Sequence, residues 1–257
     1  MRAAFPADFP EVVIQQPWGT GVRPIDHPGY RAAKAGDPDA AARFVSDTVT
    51  ADALERLRSL TGCRRPIIVA VHAEEASGRN AIPERYGYLL SHDLGLPLDE
   101  GIVQANRPQR TGKSNLYRIL NRVEFDGPVV SGQDYLMVDD HVSQGGTLAD
   151  LRNHLELQGG HVIGARTLTG IPEGQILVPT ARTLAALRDK IPATGRWWKT
   201  KHGYDIDGLT EHEARYLLRY NSLDSLRNQL AAGTQAGTSS PLPRDRRAGR
   251  REEGSGI

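Results

Sequence analysis

The sequence predicts an α/β domain: a mainly parallel sheet flanked by helices, with an N-terminal helical arm and a C-terminal helical extension. Three observations carry that expectation. The runs "PIIVAV" at 66–71 and "YLMV" at 135–138 have the length and composition of strands buried on both faces. Helical patterns alternate with such runs between them, as crossover-connected parallel strands require. From Gly174 onward only helical patterns remain.

In chain order, residues 1–38 hold several prolines and little periodicity, and read as an irregular arm. Two helices follow. Asp37 is placed to N-cap the first, with Pro38 at its first position, and Thr50 to N-cap the second ahead of Leu54 and Leu57. After the 66–71 strand comes a loop to Asn80 and a helix through Leu90. Leu98 to Gln104 and Tyr135 to Val138 read as strands, Gly145 to Gln158 as a helix with Leu148, Leu151 and Leu155 on one face, and "HVIGARTL" as a strand. In the extension, Leu184, Leu187 and Ile191 share a face. Thr210 and Glu213 have capping-box spacing before "ARYLLRY", and Leu223, Leu226 and Leu230 mark a last helix. The expected divisions are 1–62 for the arm and its helices, 63–173 for the core and 174–233 for the helical extension. The polar, Gly-, Pro- and Arg-rich 234–257 has no apolar face and reads as a disordered tail.

Composition narrows the function classes. The chain has 257 residues, 25% of them charged, and no apolar stretch near the roughly 20 residues that cross a bilayer. Asp8 and Glu11 interrupt any signal-peptide order. The single cysteine, Cys63, excludes an intrachain disulfide and a thiolate zinc site, so a reducing cytoplasm is the expected location. Formal charge is +1, and the tail alone carries five arginines against three acids, so the body does not resemble a nucleic-acid-coating protein.

The densest chemistry lies in "DYLMVDDHVSQGGTLADLRNHLE", 134–156. Ligands of open parallel sheets bind beyond the carboxyl ends of strands. The strand ending at Val138 therefore delivers Asp139 and Asp140 to that edge. Ser143 to Thr147 then enter a helix whose first-turn amides and dipole favour an anion. Gly145 and Gly146 let the backbone approach closely, and Ser143 and Thr147 add hydroxyls. Acceptors for vicinal hydroxyls followed by donors for a phosphate match a ribose 5-phosphate. The plainer reading is an Asp-Asp turn and a Gly-Gly cap.

"YLMVDDHVSQGGTL" resembles the phosphoribosyl pyrophosphate (PRPP) motif of type I phosphoribosyltransferases, with Ser143-Gln144 where threonines are usual and His141 where an apolar residue is usual. The resemblance covers about residues 64–170 and implies the family's Rossmann-like fold. It places Asp139 and Asp140 on the ribose hydroxyls and Ser143, Gln144, Gly145, Gly146 and Thr147 on the 5-phosphate. "HAEEASGRN" at 72–80, following the first core strand, falls on the pyrophosphate loop, which implies roles for Ala73, Glu74, Ser77, Gly78 and Arg79. Glu74 and Glu75 there either help hold Mg²⁺ or form an acidic surface loop. "NRPQRTGKSNLYRILNRVEF" is similar to the basic loop of competence-associated phosphoribosyltransferase-like proteins, and Arg107, Arg110 and Lys113 suit a cationic lid, with a solvated surface loop as the alternative. Its "TGKS" is no P-loop, because Arg107 stands where the leading glycine belongs. "HAEE…GRNAIP" and "LTEHEARYLL" are similar to stretches of uncharacterised bacterial phosphoribosyltransferase-like proteins.

The resemblance implies Mg²⁺-dependent transfer of a 5-phosphoribosyl group from PRPP to a nitrogen acceptor, with Asp139, Asp140, Arg110 and Lys113 as the catalytic set. Mg²⁺ would arrive with PRPP, near Asp139 and Asp140. A nucleobase acceptor would need an aromatic slot, for which Trp18, Trp197, Trp198, Tyr204 and Tyr216 are candidates, although Trp197-Trp198 fits a core better. Of the histidines, His141 alone falls in the site. No membrane or nucleic-acid partner is expected, and a homodimer stays open. The competing function is a non-catalytic PRPP- or nucleotide-binding regulatory module linked to DNA uptake, mobile-element function or gene expression. A weaker third is an interaction protein using the helical end and the arginine tail.

Overall fold

The structure, a computed structural model, describes residues 2–17, 23–72, 74–75, 78–106, 114–190 and 194–235. Its elements in chain order are β1 (Val13–Pro17), α1 (Tyr30–Lys34), α2 (Pro38–Thr48), α3 (Ala51–Thr61), β2 (Ile67–Ala70), β3 (Glu74–Glu75), β4 (Gly78–Arg79), α4 (Ile82–Leu94), β5 (Leu98–Asp99) and β6 (Val103–Gln104). Then come α5 (Asn115–Leu120), β7 (Phe125–Asp126), β8 (Asp134–Val142), α6 (Gly146–Leu157), β9 (His161–Gly170), α7 (Ala181–Lys190), α8 (Thr194–His202), α9 (Glu211–Leu217) and α10 (Leu223–Gln235). The fold class is α/β as the sequence predicts. Five strands form one sheet in the order β1-β9-β8-β2-β5, every pairing parallel.

That order positions the site. From β2 the chain moves outward to β5 through α4, then returns to lay β8 on the other side of β2 and continues outward through α6 to β9. Parallel crossovers share one hand, so reversing direction sends α4 and α6 to opposite faces. The apolar clusters agree: Leu136 and Val138 pack with α2 and α4, whereas Tyr135 and Met137 pack with α6. The carboxyl ends of β2 and β8 thus diverge in connection at one crevice, where ligands of doubly wound sheets sit.

Three strand expectations change. The arm is not irregular throughout, since β1 pairs with β9 as an edge strand. Its "VIQQP" lacks a strand-like composition; Gln15 is buried because its amide donates to Thr50 Oγ1 at 2.9 Å and its carbonyl accepts from the buried Arg166. Residues 98–104 are two strands in different sheets. Asp99 Oδ1 accepts from the amides of Gly101 and Ile102, both at 2.9 Å, and turns the chain between them. Finally, β8 runs past the acids to Val142, so Asp139 and Asp140 lie within the strand, with Asp139 opposite Thr167 and His141 opposite Thr169.

The helix caps read from sequence are largely present. Asp37 accepts from the amides of Asp39 and Ala40, and Thr210 with Glu213 forms a full capping box. Thr50 precedes α3 without a side-chain cap. Trp198 is wholly buried in the core of the helical extension, with Trp197 partly buried against it. Helix α10 continues to Gln235; 236–257, and with them most of the tail expectation, lie outside the described residues.

A buried ionic knot joins the extension to the sheet. Arg2 donates to Asp150 Oδ1 (3.0 Å), Glu213 Oε2 (2.6 Å) and the Gly146 carbonyl (2.9 Å), while Arg122 and the Val123 amide also reach Asp150. Removing one member of such a set strands its partners in low dielectric, at a cost of about 3–5 kcal/mol. Arg2→Met should therefore lower unfolding free energy by about 3 kcal/mol in urea denaturation, and Glu213→Gln added to it should recover part of the loss. A change below about 1 kcal/mol would show that Arg122 alone compensates the knot.

Candidate functional site

Asp139 and Asp140 lie in the last half of β8, at the crevice, only 6% and 9% exposed. Although the two are consecutive in the strand, their carboxyl groups lie within hydrogen-bonding reach of each other. Lys34, at the end of α1, places Nζ 2.8 Å from Asp140 Oδ2, and the Asp140 amide donates to Asp139 Oδ1 at 2.8 Å. Burial resists ionisation of both acids. For Asp139 the adjacent Asp140 charge adds to burial and holds the carboxyl well above the usual carboxylate range. For Asp140 the Lys34 ammonium outweighs burial and brings it down to about 2. The pair therefore has unequal members, Asp140 the readily ionised one and Asp139 the one that resists ionisation.

The 143–147 loop follows at once. Gly145, at φ 75°, is the residue before α6 and brings no side-chain cap, and the dipole of the helix start favours an anion. A Cβ at Gly145 would come within 2.3 Å of Leu177 Cδ2. The loop carbonyls are occupied from behind: Thr210 Oγ1 donates to Gln144 O, and His212 Nδ1 to Ser143 O at 3.1 Å. Ser143 Oγ accepts from Arg118 Nη1 at 3.4 Å. The Gln144 side chain is buried, and neither its amide nitrogen nor its oxygen has a hydrogen-bond partner. His141 contacts Thr169 Oγ1 at 2.9 Å, and that hydroxyl donates to Asp140 O, so His141 Nδ1 is the donor. Burial holds the His141 ring below the ordinary imidazole value.

Across the crevice, β3 and β4 form a two-rung antiparallel ladder after β2. Gly78 (φ 126°) and Gly36 (φ 103°) lock it to the arm: a Cβ on Gly78 would lie 2.6 Å from Ala35 O, and one on Gly36 2.9 Å from Arg79 O. Arg79 is engaged by Glu84 (2.9 Å) and donates to His72 Nδ1 (2.6 Å), so an anion here must share it. The backbone of Glu74 belongs to β3. Ala73 and Ser77, and the whole of 107–113 with Arg107, Arg110 and Lys113, lie outside the described residues.

Of the expected site residues, the fold thus brings Asp139, Asp140, the 143–147 loop, Gly78 and Arg79 to one edge. Sequence reasoning missed Lys34, Arg118, Thr169 and His212. Each stands among other polar residues of its own element with nothing local to single it out, and only tertiary structure carries it to β8. Among the described residues no three His, Cys, Asp or Glu side chains converge as metal ligands. The carboxylates that this edge offers a divalent cation are those of Asp139 and Asp140. Likewise, no described helix is long and apolar enough to cross a membrane. A cleft of about 440 Å³ lies at the other end of β2, lined by Arg58, Cys63, Arg64, Arg65 and Asp93, and is no part of this edge.

Comparison with known proteins adds the following. The chain is 38% identical to Protein TraN of Escherichia coli over 226 residues, covering 88% of this chain and 50% of that protein. It is 38% identical over 155 residues to an uncharacterized protein of Haemophilus influenzae, covering 60% and 34% respectively. The chain thus spans half or less of the length of the curated relatives it matches. No protein-family model matches it. Similar solved structures include an adenine phosphoribosyltransferase (13% identical, 51% of this chain and 70% of that one, TM-score 0.35). A Mycobacterium tuberculosis orotate phosphoribosyltransferase is 16% identical over 53% of this chain and 76% of that one, with TM-score 0.28. At TM-scores this low, neither fold nor activity is inferred from them.

The unequal acid pair has a pH signature. With its folded value raised, Asp139 contributes most below the unfolded carboxylate range, and that contribution is lost as pH rises through the folded value; Asp140 does the reverse, losing its contribution as pH falls toward about 2. Asp139→Asn should therefore raise Tm relative to wild type more at pH 8 than at pH 5. Asp140→Asn, which leaves Lys34 half-buried and unbalanced, should lower Tm at both. Equal Tm shifts for Asp139→Asn at the two pH values would contradict the assignment.

Proposed function

We propose that this edge binds PRPP and that the chain transfers its 5-phosphoribosyl group to a nitrogen acceptor, such as a nucleobase, releasing pyrophosphate. One observation carries the reading: at a single topological switch point, a buried acid pair, an uncapped glycine helix start and a glycine-hinged turn face the same crevice. These match the three parts of PRPP. The Asp140 carboxylate accepts from one ribose hydroxyl, and Asp139 hydrogen-bonds to the neighbouring hydroxyl. The amides of Gly146 and Thr147, with the Ser143 hydroxyl and the Arg118 guanidinium behind it, take the 5-phosphate. The 73–79 segment takes the pyrophosphate, and Arg110 and Lys113 are assigned to the leaving phosphates on sequence pattern alone.

The bond broken is that between the anomeric carbon and the pyrophosphate oxygen; the bond formed joins that carbon to the acceptor nitrogen, which gives up a proton. Positive charge develops on the sugar ring, where the Asp140 carboxylate favours it, and negative charge on the departing oxygen, where cationic and amide groups favour it. Mg²⁺ bound with PRPP would supply further neutralisation of the pyrophosphate.

A second reading is a non-catalytic PRPP- or nucleotide-binding regulatory module. Calorimetric titration with PRPP and with ribose 5-phosphate tests binding, and turnover of labelled PRPP against pooled bases, with and without Mg²⁺, tests transfer. Binding should weaken at least tenfold in Asp139→Asn/Asp140→Asn, and turnover should fall about 10²–10³-fold when one charge-stabilising group is removed. Binding without turnover would select the second reading; no binding of either ligand by folded wild type would reject both.

A further inference from the structure

We propose that Lys34, carried by the N-terminal arm, is a ligand-binding residue of this edge: a side chain that passes from Asp140 to the anionic leaving group when sugar hydroxyls take over Asp140. The inference rests on the proposed PRPP reading and assigns the arm a part in it.

Four observations support it. First, Lys34 Nζ is 2.8 Å from Asp140 Oδ2, with the two side chains 21% and 11% exposed, so the ammonium is sheltered yet reachable. Second, the backbone that carries it is fixed on both sides. The Ala81 amide donates to Ala33 O at 3.1 Å, Ala35 O packs against Gly78, and Gly36 packs against the Arg79 carbonyl. With the main chain pinned, only the four-carbon lysine stem is left to move, and it has the length and rotamer freedom to do so. Third, Ala35 and Gly36, the residues that follow Lys34, lie against the backbone of β4, the segment across the crevice from the acids, so Lys34 is anchored between the acid pair and that turn. Fourth, the arginine of that turn, Arg79, is already held by Glu84 and His72, which leaves a second cation in demand for a multiply charged anion.

The energetics favour exchange over a static pair. Sugar hydroxyls that hydrogen-bond to Asp140 occupy its acceptor oxygens and so weaken the hold of that carboxylate on Lys34. A pyrophosphate group brings more negative charge than one carboxylate, and the Coulomb attraction of a partly desolvated ammonium follows that charge.

The test separates the two ends of the ligand. Wild type, Lys34→Met and Lys34→Arg are titrated calorimetrically with pyrophosphate and with ribose 5-phosphate, and melted without ligand. The expected result is pyrophosphate affinity at least tenfold weaker in Lys34→Met and within threefold of wild type in Lys34→Arg. Ribose 5-phosphate affinity should stay within threefold in both. Unchanged pyrophosphate affinity in Lys34→Met overturns the inference. So does a parallel loss of both ligands, with or without a large fall in Tm, because that is the behaviour of a merely structural ion pair. Wild type that binds neither ligand overturns the proposed function and this inference with it, whereas wild type that binds both while Lys34→Met matches it overturns this inference alone.

Discussion

Burial of two consecutive carboxylates at the end of β8 is the constraint around which the molecule is arranged. An isolated buried carboxylate is so poorly solvated that it either finds a cation or keeps its proton. Here the two acids differ in what they find. The arm supplies Lys34 to Asp140, whereas burial and the adjacent Asp140 charge hold the Asp139 carboxyl well above the usual carboxylate range. The position of the arm follows from this. α1 ends where its lysine meets Asp140, and the two glycines at positive φ, Gly36 and Gly78, allow backbone to lie against backbone at that point.

The second face is governed by the loop after β8. A loop that offers amides to an anion must find donors for its own carbonyls elsewhere, since buried carbonyls are rarely left unpaired. The helical extension meets that need through Thr210 and His212, and the same capping box that starts α9 also receives Arg2. The extension is thus part of the loop's support as well as a separate apolar cluster centred on Trp198. Arg2, Arg122, Asp150 and Glu213 bind α6 and α9 into one unit, so the loop between β8 and α6 is held at both ends of its chain.

Much of this was legible in the chain itself. Local patterns determined β2, the core of β8, α6, β9 and the caps at Asp37 and Thr210, because apolar period, β-branching and capping chemistry act over a few residues and need no distant partner. The juxtaposition of Asp139, Asp140 and Gly145-Gly146 was legible for the same reason: strand end, loop and helix start are contiguous, and parallel sheets put that junction at an open edge. The gaps have a physical character too. The strand β1 was invisible because "VIQQP" is stabilised by Gln15 bridging Thr50 and Arg166, contacts made across 35 and 151 residues. The split of 98–104 hinged on Asp99 accepting two amides at the polar "DEG" that separates Leu98 from Ile102 and Val103.

What the sequence by itself determined, then, is the set of elements and the contiguous acid-and-glycine edge, each specified by neighbours along the chain. Only the tertiary structure decided which charges meet that edge. Lys34, Arg118 and His212 come from three separate elements, and Arg79, the cation local to the edge, is drawn off by Glu84 and His72. Electrostatic pairing depends on distance and burial in space, and neither is encoded by spacing along the chain once the sheet order reverses between β2 and β8.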